Sequence, residues 1–181
     1  MVNKMTTILL LLCLLASCKK DTPVEAAPAL PAATQSGKNT MGCKINGELF
    51  LLNGKRDSWG IGLRAVQYKL SDTTYYTVSF NSREPKIYLA MSSFSLDGNN
   101  RDTFPLNGIF VFDYSYAVLQ DFRKNTIAGV SYYSDRMHGG TLIITKNTPS
   151  FISGTFEFEI LNGEDSTKSV KVTEGRFDIE K

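Results

Sequence analysis

The sequence predicts an all-β protein: a single antiparallel β-sandwich or partly open barrel of about nine strands, preceded by a disordered tether. Three observations lead to that class. From Cys43 to the C-terminus apolar and polar side chains alternate with a period of two in short runs, and no segment sustains a helical spacing. Clusters of turn formers divide those runs: "SDTT", "NSREP", "DGNNRD", "RMHGG", "KNTPS" and "NGEDST". Ahead of them, Lys19 to Asn39 holds three of the six prolines and no aromatic residue, a composition that builds no core. Short strands with regular turns suit a sandwich and a barrel alike, so the choice of closure stays open.

In chain order, the first element is a secretory signal over residues 1–17. It has basic Lys4, an uncharged apolar run from Ile8 to Ala16, and the small pair Ala16 and Ser17. The run is far shorter than the roughly 20 apolar residues a membrane-crossing helix needs. Its end, Leu15-Ala16-Ser17-Cys18, resembles the lipobox of bacterial lipoproteins. The resemblance covers the first 18 residues. It implies a thioether-linked diacylglycerol on Cys18, cleavage on the N-terminal side of that residue, and anchoring of the mature chain by about three acyl chains. An ordinary signal cleaved near Ser17 is the alternative. The resemblance also implies a cell-envelope address. In well-studied lipoproteins an aspartate directly after the cysteine retains the protein at the inner membrane; Lys19 stands in that place, which points to the outer membrane. Surface export goes with an acidic run after the cysteine, and Lys19-Lys20-Asp21 matches it only in part, so the leaflet stays open.

Residues 18–40 then form the lipidated N-terminus and a Pro/Ala-rich tether. As a flexible coil its ends lie about 25 Å apart, and as a polyproline-like spacer it reaches roughly 65 Å. Residues 41–181 form the β domain, about 140 residues and enough for one core. In "CKINGELF" Asn46-Gly47 stands between two apolar runs, a hairpin signal that sets Cys43 opposite Phe50. Further strands are expected over Gly60 to Lys69, Thr74 to Asn81, Lys86 to Phe94, Ile109 to Tyr116, Ile127 to Tyr133, Thr141 to Lys146, Gly154 to Leu161 and Ser169 to Ile179. The segment Ser115 to Asn125 reads either as a continuing strand or as one helical turn.

Near the end, Phe156, Phe158 and Ile160 alternate with Glu157 and Glu159, so one face is core and the other is wet. The partner strand begins in phase with Val170 and Val172 and then changes parity to Phe177 and Ile179. A one-residue bulge near Glu174-Gly175 restores the inward phase, with glycine there to accept positive φ. The domain is similar to the small all-β lipoproteins common in Bacteroidota, through "CKINGELF", "GGTLIITK" at 139–146, and "ISGTFEFEI" with "VTEGRFDI" at the end. The similarity implies architecture and location and transfers no activity.

Charge and cysteine usage narrow the function classes. The chain has 20 basic and 18 acidic side chains, and removal of Lys4 with the signal leaves 19 against 18, a formal charge of +1. No electropositive face for nucleic acid is expected from that balance. Cys13 leaves with the signal and Cys18 takes lipid, so Cys43 stands alone and no disulfide framework exists. No Cys/His spacing for zinc or another metal is seen, and no cofactor is expected beyond the covalent lipid.

Three constellations carry candidate chemistry. Cys43 with His138, the only histidine, is a nucleophile and base in arithmetic alone, since an ordinary buried thiol and a glycine turn account for both. Glu157 and Glu159, about 7 Å apart along one strand face, could serve a hydrolase, though a solvated face accounts for them too. Asp97, Asn99 and Asp102 in "DGNNRD" approach a calcium loop, but Arg101 occupies a ligand position and turn chemistry suffices. The aromatic residues remain. In the adjacent pairs Tyr75/Tyr76 and Tyr132/Tyr133 one member points outward if the other is buried, and with Trp59 these form the candidate ligand-binding set. The expected protein is a non-enzymatic, lipid-anchored envelope domain that binds a glycan, a peptide or an envelope protein, or serves a structural role. An envelope hydrolase built on Glu157/Glu159 is the rival.

Overall fold

The computed structural model describes residues 28–96, 102–109, 115–123 and 129–181. The signal, Cys18, most of "DGNNRD", residues 110–114 of the strand expected from Ile109, and residues 124–128 lie outside them. Among the described residues there is no helix, and none therefore long and apolar enough to cross a membrane. The described residues form eleven strands: β1 (Thr40–Ile45), β2 (Glu48–Asn53), β3 (Gly62–Leu70), β4 (Thr73–Ser82), β5 (Ile87–Leu96), β6 (Thr103–Pro105), β7 (Tyr116–Asp121), β8 (Val130–Tyr133), β9 (Gly140–Asn147), β10 (Phe151–Asn162) and β11 (Ser169–Glu180).

Nine of them follow one antiparallel path in the order β2-β1-β11-β10-β8-β7-β5-β4-β3. Its two ends meet beyond β2, where Leu63 N donates to Gly54 O at 3.1 Å and Arg56 N donates to Leu63 O at 2.9 Å. The sheet is thus a nearly closed barrel, with a seam between β2 and β3. The long β10 makes the closure workable by serving two neighbours on one edge. Its Ile152–Phe158 stretch pairs with β9, and its last residues, Leu161 and Asn162, pair with β8. β9 in turn carries the short β6, whose Phe104 ring lies 5.3 Å from the Tyr76 ring of β4.

The inward-facing set is mainly apolar, with the buried Ser82 and Ser93 among it. Phe80 of β4 meets Phe156 of β10 at 5.6 Å and Phe177 of β11 at 6.2 Å across the barrel, and Leu89, Leu119, Leu142 and Ile160 are fully buried around them. Phe156, Phe158 and Ile160 face inward and Glu157 and Glu159 outward, as the alternation requires. The hairpin forms as its sequence dictates: Asn46 and Gly47 have φ of 50° and 84°, both in the left-handed region, and Cys43 pairs with Phe50. The ambiguous segment from Ser115 begins strand β7.

β11 bulges where parity demands it. Phe156 opposes Gly175 while Phe158 opposes Val172, leaving one extra residue on β11, and β1 shows the same shift between Gly42 and Lys44. The reason for the glycine differs from the expected one. The residue with positive φ is Glu174, at 54°. Gly175 is required because the Phe156 ring lies against it, and a Cβ there would stand 2.5 Å from that ring.

The later part of the expected tether is docked on the barrel. Residues 28–39 lie along the outside of β1, β11 and β10. Leu30 and Pro31 sit over Gly42, Arg176 Nη1 donates to Pro31 O, and Asp178 gathers the rest of the arm. Asp178 is only 1% exposed. It accepts hydrogen bonds from Thr34 Oγ1 (2.6 Å), the backbone N–H groups of Ser36, Gly37 and Lys38, and Ser153 Oγ (2.7 Å). Burial alone would raise this carboxyl, but those donors outweigh it and hold it well below the usual carboxylate range.

Candidate functional site

The register assigns each tyrosine pair its faces. Tyr76 points inward onto Phe104 and Tyr132 packs against the core, whereas Tyr75 and Tyr133 point outward. On the outside of β3, β4, β5, β7 and β8 the pairing aligns side chains into rows. Tyr68, Tyr75 and Phe94 form one row; Val66, Thr77, Ser92 and Tyr116 the next; Arg64, Ser79, Ala90, Val118 and Tyr133 the third. Small residues therefore floor the middle of this face, and aromatic rings stand around them.

The first row is the exposed end. The Tyr68 and Tyr75 rings stack with centroids 4.9 Å apart and planes 9° from parallel, and Phe94 follows at 6.2 Å. Tyr68 is 47% and Phe94 40% exposed, and Leu70, one step further along β3 on the same face, is 65% exposed. In the second row, burial and then the neighbouring Tyr88 raise the Tyr116 phenol, whose hydrogen bond to Ser92 works the other way. Rings at this spacing contribute about 0.5–1.5 kcal/mol beyond their buried area, which holds the ladder in place.

Trp59, at 83% the most exposed aromatic side chain described, stands apart from that ladder. It lies on the connection between β2 and β3, where Asp57 Oδ1 accepts from the N–H groups of Trp59 and Ile61. Asn81 Nδ2 ties this connection to the far end of β4 by donating to Gly60 O. Asn81 is six residues from Tyr75, so about 20 Å separate the two ends of the face. The expected set is thus split: Tyr75 and Tyr133 lie on the outer face, Trp59 lies at its end, and Tyr76 and Tyr132 are structural. Tyr68, Tyr88, Phe94 and Tyr116 were not singled out from the sequence. Centring the "SDTT" turn on Ser71-Asp72 pairs Tyr68 with Tyr75, so the signal for that partner was present.

The acid–base candidates fall elsewhere. Cys43 is wholly buried on β1, and burial pushes its thiol up to about 12, away from the thiolate a nucleophile needs. His138 is on the β8–β9 connection, with Nδ1 3.0 Å from Asp135 Oδ1, and no hydrogen bond joins it to Cys43. Glu157 lines a groove of about 480 Å³ outside β9, β10 and β11 with Thr141, Thr155, Glu174 and Arg176. Glu159 is not part of it and accepts from Ser169 Oγ at 2.9 Å. Glu174 is paired with Lys44. Among the described residues no group of three or more His, Cys, Asp or Glu side chains is placed to hold a metal ion.

Fold and site together define a class: a filled, nearly closed antiparallel barrel with an aromatic outer face and an N-terminal arm. Comparison with family models, with curated proteins and with solved structures returns no match for this chain.

Proposed function

We propose that this is a lipid-anchored protein of the cell envelope, carried by diacylglycerol on Cys18 at the outer membrane, and that its barrel recognises another protein through the outer face of β3, β4 and β5. The Tyr68–Tyr75–Phe94 ladder carries this reading. Its rings are stacked nearly parallel at 4.9 Å, so Tyr68 and Tyr75 cover each other's inner faces and turn edges, hydroxyls and the apolar Phe94 and Leu70 outward. Sugar platforms rely on open ring faces, whereas rigid Tyr edges beside exposed apolar side chains suit the desolvated centre of a protein interface. The role is binding and requires no catalytic group.

Two experiments test it. Cys18→Ser is expected to abolish metabolic labelling with a fatty acid, and label retained in the variant would remove the anchor. Affinity capture from the native envelope should yield a partner whose retention falls at least tenfold in Tyr68→Ala and Phe94→Ala, with cooperative unfolding unchanged. Capture indifferent to both substitutions, or turnover of a glycan on an array dependent on Glu157, would refute the recognition reading.

A further inference from the structure

We infer that the open edge of β3 takes up an extended, acidic segment of the partner protein as an added strand, an inference that rests on the recognition role just proposed. β3 ends the nine-strand path. Along one edge it pairs with β4 from Gly62 to Leu70, and on the other Leu63 is bonded to Gly54 and Arg56. Ala65 and Gln67 share the direction of Leu63 by alternation, and among the described residues their N–H and C=O groups on that edge have no backbone partner. Such an edge is a template for another strand.

The seam beside it is a groove of about 410 Å³ between Leu63–Val66, the Lys55–Asp57 stretch and the C-terminal Glu180 and Lys181. Its own acids are engaged. Glu180 is bridged by Lys55 at 3.0 Å, and Asp57 is held by the amides of its own loop. Arg56 and Arg64 line the same groove with no carboxylate partner among the described residues. Two uncompensated guanidinium groups favour a carboxylate, which they can take up in bidentate fashion. They also disfavour a second copy of this chain, because pairing β3 with itself would bring Lys55, Arg56 and Arg64 close to their own counterparts.

Register gives the incoming strand its pattern. A strand added beside β3 places alternate side chains on the outer face next to Arg64, Val66 and Tyr68. The chemistry that fits is an acidic residue, an apolar one two positions away, and an aromatic or aliphatic one two further on. The last extends the Tyr68–Tyr75–Phe94 ladder by one member, across the ring face of Tyr68 turned away from Tyr75. The edge beyond Leu63, from Ala65 to Leu70, spans about 17 Å, within the reach of a seven-residue strand.

The test is selection of a displayed random heptapeptide library on the detergent-solubilised full-length protein. The expected winners carry the acidic-x-apolar-x-aromatic alternation and protect the amides of Ala65 and Gln67 from hydrogen exchange. They should lose at least tenfold in affinity to Arg64→Glu. Gln67→Pro deletes the edge N–H and should abolish their binding, while Gln67→Ala, which loses the same side-chain bonds to Asn147 and Lys181 but keeps the N–H, should retain it. Winners without acidic enrichment, a selection that enriches nothing, or equal binding to the proline and alanine variants would overturn strand addition. Winners that depend on Tyr68 but tolerate Gln67→Pro would overturn it while leaving the recognition face standing.

Discussion

Replacing Asp178 by asparagine is expected to loosen the N-terminal arm without dissolving the barrel. In the native protein Oδ1 accepts from Gly37 N at 2.8 Å and Ser153 Oγ at 2.7 Å, and Oδ2 accepts from Thr34 Oγ1 at 2.6 Å and from Ser36 N and Lys38 N at 3.0 and 3.2 Å. An amide nitrogen on the Oδ2 side would meet two backbone N–H groups, and on the Oδ1 side it would meet that of Gly37 and, at 3.2 Å, that of Ser36 as well. Either orientation forfeits at least one bond to a charged acceptor, about 1.5–3 kcal/mol, and weakens the others by removing the charge. A total of about 3 kcal/mol follows, limited by the ability of the arm to lift away and hydrate its amides. Hydrogen exchange at Ser36, Gly37 and Lys38 should therefore accelerate about 100-fold, at roughly 1.4 kcal/mol per decade. The same carboxylate sets a pH dependence. Its folded pKa is depressed below an unfolded value of about 3.9, so its stabilisation is fully present above about pH 4 and is lost as the pH falls through the folded value. The asparagine variant should lack that acid limb in urea denaturation. Unchanged exchange at the three amides, with an unchanged acid limb, would refute the latch.

Three further expectations concern the barrel. Phe156→Ala, Phe158→Ala and Phe177→Ala should each cost about 3–5 kcal/mol in urea denaturation, whereas Glu157→Ala and Glu159→Ala should stay within about 0.5 kcal/mol; the reverse ranking would contradict the parity of β10 and β11. Gly175→Ala should cost about 1–3 kcal/mol, because its Cβ would stand 2.5 Å from both the ring and the carbonyl oxygen of Phe156, and a neutral result would contradict that close approach. Cys43, with its thiol near 12, should resist alkylation at pH 8 until the protein unfolds, and rapid labelling of the folded state would show that β1 opens locally.

Features set by neighbours in sequence were readable before the structure. Asn46-Gly47 fixes its hairpin through φ alone, and the parity change between Val172 and Phe177 places a bulge near Glu174-Gly175, where the register shifts. What escaped depends on partners far along the chain. The choice of barrel over sandwich rests on Leu63 reaching Gly54 and Arg56 while β10 divides its edge between β8 and β9. β6 is three residues ending in proline, too short to announce itself by alternation. Thr34 to Lys38 read as linker because their bonding partner, Asp178, lies some 140 residues further on. At the candidate site, the outward direction of one tyrosine in each pair followed from strand geometry. Which one, and its neighbours in the ladder, required the register of β3 on β4 and β5. An unpaired edge has no sequence signature, since strand order alone decides which strand is last.

On the proposed lipid anchor, the docked arm would also act as a leash stop. With residues 28–39 fastened to β1, β10 and β11, only the chain between Cys18 and Pro28 can separate a lipid on Cys18 from the barrel. Ten peptide steps span at most about 35 Å in any conformation, roughly half the reach of the whole Pro/Ala-rich segment. Under the anchoring proposed above, a barrel so restrained would patrol a thin layer next to its own bilayer. It would meet partners that come to that surface, and loss of the Asp178 latch would lengthen its range before it changed its fold.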